Sequence, residues 1–197
     1  MDKLFFEKMY LERGMRYICG VDEVGRGPLA GPVTVTAIIM DLSKIIDGVD
    51  DSKKVSEKKR ERLYDEIISA SICCETVSIE NTVIDEINIL NATKRAMKQA
   101  IMSLDVKPDI VLIDAVQLEI PYLTHAIIKG DELSYSIGAA SIIAKVHRDR
   151  LMREYAKMYP EYYFEKNKGY GSAQHIEAIK KFGATPIHRK SFIKNFV

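Results

Sequence analysis

The stretch "DIVLIDAV" at residues 109–116 limits the fold more than any other part of the chain. It follows Pro108, runs apolar without alternation, and carries an acid, Asp114, near its end. A strand with one wet face alternates polar and apolar residues, so a continuous apolar run belongs to a buried central strand. Four further stretches read as strands from their β-branched content: "YICGVD" (17–22), "PVTVTAIIM" (32–40), "SICCETVSI" (71–79) and "LTHAIIKGD" (123–131). Helical patterns lie around them. Ser56 is a candidate N-cap, with Glu57 in the first turn and Leu63, Ile67 and Ala70 on one face. In "ILNATKRAMKQAIMSL" Ala92, Ala96, Ala100 and Leu104 recur every four residues. "SYSIGAASIIAKVHRDRLMREYAKMY" is long, and its small residues suit close packing on a sheet. "AQHIEAIKKF" ends at a Gly183 C-cap, and "MDKLFFEKMYLERG" is a short amphipathic helix. The expectation is one α/β domain over residues 1–197, a five-stranded mixed sheet flanked by helices, with a helical C-terminal extension from about residue 156.

The start of the chain is too charged for a signal peptide, and "GPLAGPVTVTAIIM" is too short and too broken to span a bilayer. Cys19, Cys73 and Cys74 have no metal-ligand spacing. They read as reduced thiols of a cytoplasmic protein, with a Cys73–Cys74 redox switch as the weaker alternative. The formal net charge is only +1. However, residues 141–197 hold 12 Lys/Arg against 5 Asp/Glu, so one end is basic enough to meet a polyanion.

"GVDEVGRGPLAGPV" (20–33) sets two acids beside a glycine-rich turn. The glycines miss the dinucleotide fingerprint by one residue and precede a β-rich run instead of a helix, and no Walker Lys-Ser/Thr follows. The turn reads as a hairpin with bare backbone able to approach a ligand. Asp22 and Glu23, Asp114, and Asp131 each fall at the end of an apolar stretch read as a strand. Singly, each acid reads as a turn residue. Together, at the carboxyl ends of strands in an open α/β sheet, they suit hard divalent cations in the two-ion arrangement used for phosphoryl transfer. Side chains alternate along a strand, so adjacent Asp22 and Glu23 reach one site only if the strand end is irregular.

These stretches, with "DSKK", "LIDA", "KGDELSYSIGAASIIAKVHRDR", "NKGYGS" and "PIHRKSF", resemble bacterial ribonuclease HII in the family's order from about Tyr17 to Phe192. The N-terminal segment is too short for the extra domain of the type HIII enzymes, and the type I signature is absent. The resemblance implies a ribonuclease H-like fold. It implies Mn²⁺- or Mg²⁺-dependent hydrolysis of RNA in RNA–DNA duplexes, including cleavage 5′ of a single ribonucleotide embedded in DNA, leaving 3′-hydroxyl and 5′-phosphate ends. The implied roles are ribonucleotide and primer-RNA removal by a monomer. Asp22, Glu23, Asp114 and Asp131 match the family's four acids. Gly25, Arg26 and Gly27 match the turn that reads the ribose 2′-hydroxyl, and Tyr170 matches the tyrosine at the ribonucleotide–deoxyribonucleotide junction. Asp51, Ser52 and Lys53 match a loop near the nucleic-acid backbone, and Lys145, His188 and Arg189 stand where phosphate contacts are expected. The chain departs from the family where Glu132 and Leu133 replace a common Ala-Lys and Gly138 a common alanine. The rival readings are a catalytically silent nucleic-acid binding module and a DNA nuclease or strand-transfer enzyme on the same fold. The terminal "FIKNFV" is expected to pack on its own domain, with docking on a replication or repair partner as the alternative.

Overall fold

The computed structural model describes residues 2–197; Met1 lies outside them. Helix α1 (Phe5–Leu11) leads into a five-stranded sheet made of β1 (Ile18–Val24), β2 (Val33–Met40), β3 (Ser71–Ile79), β4 (Ile110–Asp114) and β5 (Leu123–Ile127). The spatial order is β3-β2-β1-β4-β5. The first three strands form an antiparallel meander, while β4 and β5 run parallel to β1. The sheet is therefore mixed, and β1 is its centre.

Helix α2 (Glu57–Ala70) runs without a loop into β3, and α3 (Asn81–Ile87) precedes α4 (Ile89–Ser103). The four-residue spacing of Ala92, Ala96 and Ala100 puts small side chains against one sheet face, where they join Val21, Val35, Val111 and Ile113 in a continuous core. The opposite face is covered by α6 (Tyr135–Met158), reached through the single turn α5 (Gly130–Leu133). The small residues of α6 allow a very close approach. A Cβ on Gly20 of β1 would stand 2.2 Å from the Ser136 carbonyl carbon, so only glycine fits there. After α6 come a 3₁₀ turn (Pro160–Tyr162), α7 (Phe164–Asn167), α8 (Ala173–Phe182) and α9 (Lys190–Ile193), which form the helical C-terminal region. Ile193 is buried there, and Phe192 and Phe196 pack on the same cluster, so "FIKNFV" lies against the protein itself.

Three sequence expectations need correction. The strand expected over 123–131 stops at Ile127; Lys129 adopts left-handed backbone (φ 59°) and Asp131 sits in α5, not on a strand end. Helices α3 and α7 were not expected. The strand end at Asp22–Glu23 is regular: Asp22 pairs with Thr36, Glu23 with Val35 and Val24 with Thr34, with no bulge. Cys19, Cys73 and Cys74 are free thiols. No helix among the described residues is long and apolar enough to cross a membrane.

Candidate active site

β1 and β4 pair in parallel as far as Val21 and Ile113, so Asp22 and Asp114 leave the sheet side by side at its carboxyl end. Strand parity turns both toward α6. The even-numbered neighbours Ile18, Ile110 and Leu112 belong to the core on that side, whereas Val21 and Ile113 belong to the other. Glu23 therefore departs from the opposite face, and the adjacent acids diverge instead of bulging together. Asp114 is anchored by the Gly130 N–H, which donates to its Oδ1 at 2.7 Å and ties α5 to the end of β4. Asp131 then follows within one residue.

The electrostatics couple Asp22, Glu23 and Asp131 to the charge of Asp114. Burial, then the charges of Glu23 and Asp114, push the Asp22 carboxyl well above its usual range. Asp131 is raised by burial and by Asp114 and Asp51. Glu23 is raised mainly by burial and also by Asp114, against the opposing pull of Arg26. Two cations stand against this excess negative charge. Lys53 Nζ lies 3.6 Å from Asp131 Oδ2 and Arg26 3.3 Å from Glu23 Oε1. The Ser141 hydroxyl on α6 works against the rise at Asp22 and also hydrogen-bonds Ser52 (2.9 Å), bringing the Asp51–Lys53 loop to the cluster. Asp51 is thus a fifth acid, buried beside Asp131.

Among the described residues, no three such side chains already close into an ion-holding cage. The donor set nevertheless fits a hard divalent cation. It consists of carboxylate oxygens, three of the acids are under-compensated, and Glu23 Oε2 is buried without a hydrogen-bond partner.

Next to the acids, the glycine turn is held by two buried arginines. Arg148 donates to the carbonyls of Pro32 (2.9 Å), Ala30 (3.1 Å) and Lys168 (2.9 Å). Arg189 donates to those of Gly31 (3.0 Å), Arg26 (2.9 Å) and Gly25 (2.5 Å). Buried cations are costly unless their donors are satisfied. Here backbone carbonyls satisfy them, and the turn is locked in return. Burial lowers Arg148 to about 10 and, together with the Arg148 charge, Arg189 to about 9, so both stay charged at neutral pH. The same framework seats Tyr170. Gly169 O accepts from Leu29 N–H (2.8 Å), and a Cβ on Gly27 would meet the Tyr170 ring at 3.8 Å. Tyr170 is 42% exposed.

Several expected nucleic-acid contacts fall elsewhere. Arg189 is fully buried and shapes the turn from behind. His188 is 1% exposed. Thr185 N–H donates to its Nδ1 (2.9 Å), which leaves Nε2–H to face His175 Nε2 (3.0 Å), whose Nδ1–H donates to the Tyr170 carbonyl (2.8 Å). Lys145 is committed to buried Asp149 at 2.7 Å. Arg189 and His188 present no free donor to phosphate, because burial demands internal partners, whereas the half-buried Lys145 gives one of its three donors to Asp149. Much of the C-terminal basic excess is likewise consumed: Arg150 and Arg153 pair with Glu61, and Lys157 with Glu154. Arg148 and Ser141 were missed in the sequence. Their signal was a polar side chain on the buried Ile137–Ser141–Ala144–Arg148–Met152 stripe of α6.

The histidine relay carries a pH prediction. Burial, then the charge of His175, hold His188 down at about 4, and burial lowers His175. Both are neutral when folded, so their contribution is complete above the unfolded value near 6.5 and is lost as pH falls toward 4. In urea unfolding, the stability difference between the wild type and His188→Asn should shrink from pH 7 to pH 4.5. A constant difference would contradict the relay.

A mixed sheet in this order, with acids leaving its two central parallel strands beside a backbone turn and an exposed tyrosine, defines a ribonuclease H-like nuclease. The Ribonuclease HII sequence profile matches residues 19–195, and the chain belongs to that family. Ribonuclease HII of Caldicellulosiruptor bescii is 53% identical over 199 residues, covering 100% of this chain and 97% of the relative. The crystal structure of ribonuclease H2 from Pyrococcus horikoshii superposes with a TM-score of 0.77 at 28% identity, over 92% of this chain and 97% of that one. The ribonuclease HII of the PCNA complex from Archaeoglobus fulgidus gives 0.77 at 26% identity, over 91% and 96%. The chain is an endoribonuclease of the ribonuclease H type acting on RNA–DNA hybrids.

Proposed function

We propose that this endoribonuclease cuts 5′ of ribonucleotides, down to a single one embedded in duplex DNA, and leaves 3′-hydroxyl and 5′-phosphate ends. The observation that carries the reading is the adjacency of the acid cluster to the locked glycine turn, linked by the Arg26–Glu23 pair at 3.3 Å. A phosphodiester beside the acids places the neighbouring sugar at the turn. There the bare backbone of Gly25–Gly27 can pair with a 2′-hydroxyl, the group that distinguishes RNA from DNA. Tyr170 stacks on the sugar or base at the junction.

Asp22, Asp114 and Asp131, with Glu23 from the other face, are the residues that would hold Mg²⁺ or Mn²⁺. Bound there, such ions activate water and stabilise the leaving oxygen. The acids orient that site, and Lys53 balances its charge until substrate phosphate arrives. The reading places the protein in the cytoplasm, clearing ribonucleotides and primer RNA from DNA.

Comparing duplexes with one ribonucleotide, a ribonucleotide stretch or none tests this reading. Cleavage of the first two alone is expected. Binding without cleavage would favour the silent module, and equal cutting of all-DNA duplex the DNA nuclease. Tyr170→Ala should weaken selection of the single-ribonucleotide duplex by about 1–3 kcal/mol, the value of one stacking platform. An unchanged preference for it over the all-DNA control would refute the tyrosine's role.

A further inference from the structure

The mechanism leaves the N-terminal segment unused, and it lies outside the 19–195 stretch that matches the family profile. Yet it makes long-range contacts with the start of α6 and with the loop before Asp51. Helix α6 has 24 residues and begins beside Asp131. The first N–H groups of any helix lack intrahelical partners. Here each has one. Tyr135 N–H donates to the Lys3 carbonyl (2.9 Å), Ser136 N–H to Glu7 Oε1 (2.9 Å) and Ile137 N–H to Ser134 Oγ (3.3 Å). Glu7 is fully buried, and its Oε1 also accepts from the Ser134 hydroxyl at 2.6 Å. The helix N-terminus supplies donors to Oε1 and a positive dipole end, while Oε2 is buried without a hydrogen-bond partner.

The Lys3 side chain extends the contact to the site. Its Nζ lies 2.5 Å from Asp50 Oδ1 and 3.4 Å from the Asp131 carbonyl oxygen. Asp50 Oδ1 in turn accepts from the Asp51 N–H at 2.7 Å. One ammonium thus joins the loop carrying Asp51, Ser52 and Lys53 to the turn carrying Asp131. Gly138 leaves the room for this, since a Cβ there would stand 3.2 Å from the same Asp131 oxygen.

We infer that Lys3 and Glu7 are positioning residues. The N-terminal segment is a brace that fixes the Asp131 turn and the Asp51–Lys53 loop against each other and thereby sets the affinity of the acid cluster for its cation. The inference rests on reading Asp131 as a metal ligand. Calorimetric titration of the full chain with Mn²⁺ tests it, run on the wild type, Lys3→Met, Lys3→Arg, Glu7→Gln and Asp131→Asn, with melting temperature, kcat and KM measured in parallel.

Lys3→Met should weaken Mn²⁺ binding by about tenfold, the low end for groups that support a ligand. It should lower kcat with KM little changed. Its melting temperature should stay within about 4 °C of the wild type, because a partly exposed ion pair contributes little to stability. Lys3→Arg should restore both binding and kcat. Glu7→Gln should weaken Mn²⁺ in the same direction at temperatures where the variant is fully folded. The sign is decisive, since simply deleting a nearby positive charge would tighten a cation. Mn²⁺ bound by Lys3→Met as tightly as by the wild type, or more tightly, with Asp131→Asn weakened, overturns the brace alone. Unweakened binding in both overturns the brace and the ligand reading together.

Discussion

Asp114→Asn should lose nearly all turnover and gain stability in the absence of metal. Asp114 is the acid whose charge is felt by Asp22, Glu23 and Asp131, so it stands at the electrostatic centre of the cluster. An asparagine can still accept the Gly130 N–H through its amide oxygen, so the anchor to α5 is kept. What disappears, on the proposed reading of Asp114 as a metal ligand, is one ligand charge. A fall in kcat on the order of 10³-fold, about 4 kcal/mol of transition-state stabilisation, is expected where cations carry the reaction. Removing one of several repelling carboxylates should meanwhile raise the melting temperature of the metal-free protein. Mn²⁺ should stabilise the wild type and leave the variant nearly unchanged. Turnover and thermal scans with and without Mn²⁺ check both halves, and retained activity would dissociate Asp114 from the chemistry.

The second large effect separates two glycines of one turn. Gly25 has φ +93°, and a Cβ there would lie 2.3 Å from Arg148 Nε and 2.8 Å from the Pro32 carbonyl oxygen. Arg148 is buried and bound to three carbonyls, so it has nowhere to yield. Gly25→Ala combines backbone strain with overpacking and should cost about 3 kcal/mol or more. Gly27 has ordinary backbone, and its added Cβ would meet only Tyr170 Cε1 at 3.8 Å. Gly27→Ala should therefore melt within a few degrees of the wild type. It places a methyl where we propose that the 2′-hydroxyl is read, so discrimination between ribose and deoxyribose should fall although the fold survives. Urea unfolding and paired cleavage rates distinguish the two. Equal destabilisation would contradict the arginine lock, and intact discrimination in Gly27→Ala would contradict backbone reading of the sugar.

What could be read from the sequence follows from how local each signal is. "DIVLIDAV" announced a central strand because full burial leaves a composition with no alternation. The acids at 22, 23 and 114 were legible because an ionisable group ending an apolar run demands an explanation. Asp131 was singled out, but its setting was not legible: Lys129 takes left-handed backbone, and the residues after it close a helical turn instead of extending β5. The expected bulge at Asp22–Glu23 came from assuming that both side chains approach from one face. The strand is regular, and Glu23 reaches the cluster's field from the other side. His188 and Arg189 show the limit most clearly. A cation in a basic segment looks like a phosphate ligand until its burial is known, and burial here depends on contacts with residues 25–31 and 175, distant in the chain. The Glu7 cap on α6 spans 129 residues and leaves no trace in any local pattern.

The central claim is that the chain cuts on the 5′ side of a ribonucleotide and needs a divalent cation that Asp22, Glu23, Asp114 and Asp131 would hold. Its most direct measurement is the mapping of products from a DNA duplex containing one ribonucleotide, with Mn²⁺ or Mg²⁺ and again with a chelator. A single nick on the 5′ side of the ribonucleotide, with 3′-hydroxyl and 5′-phosphate ends and only in the presence of the ion, is the predicted result. Cleavage that survives chelation, or a nick on the 3′ side, would contradict it.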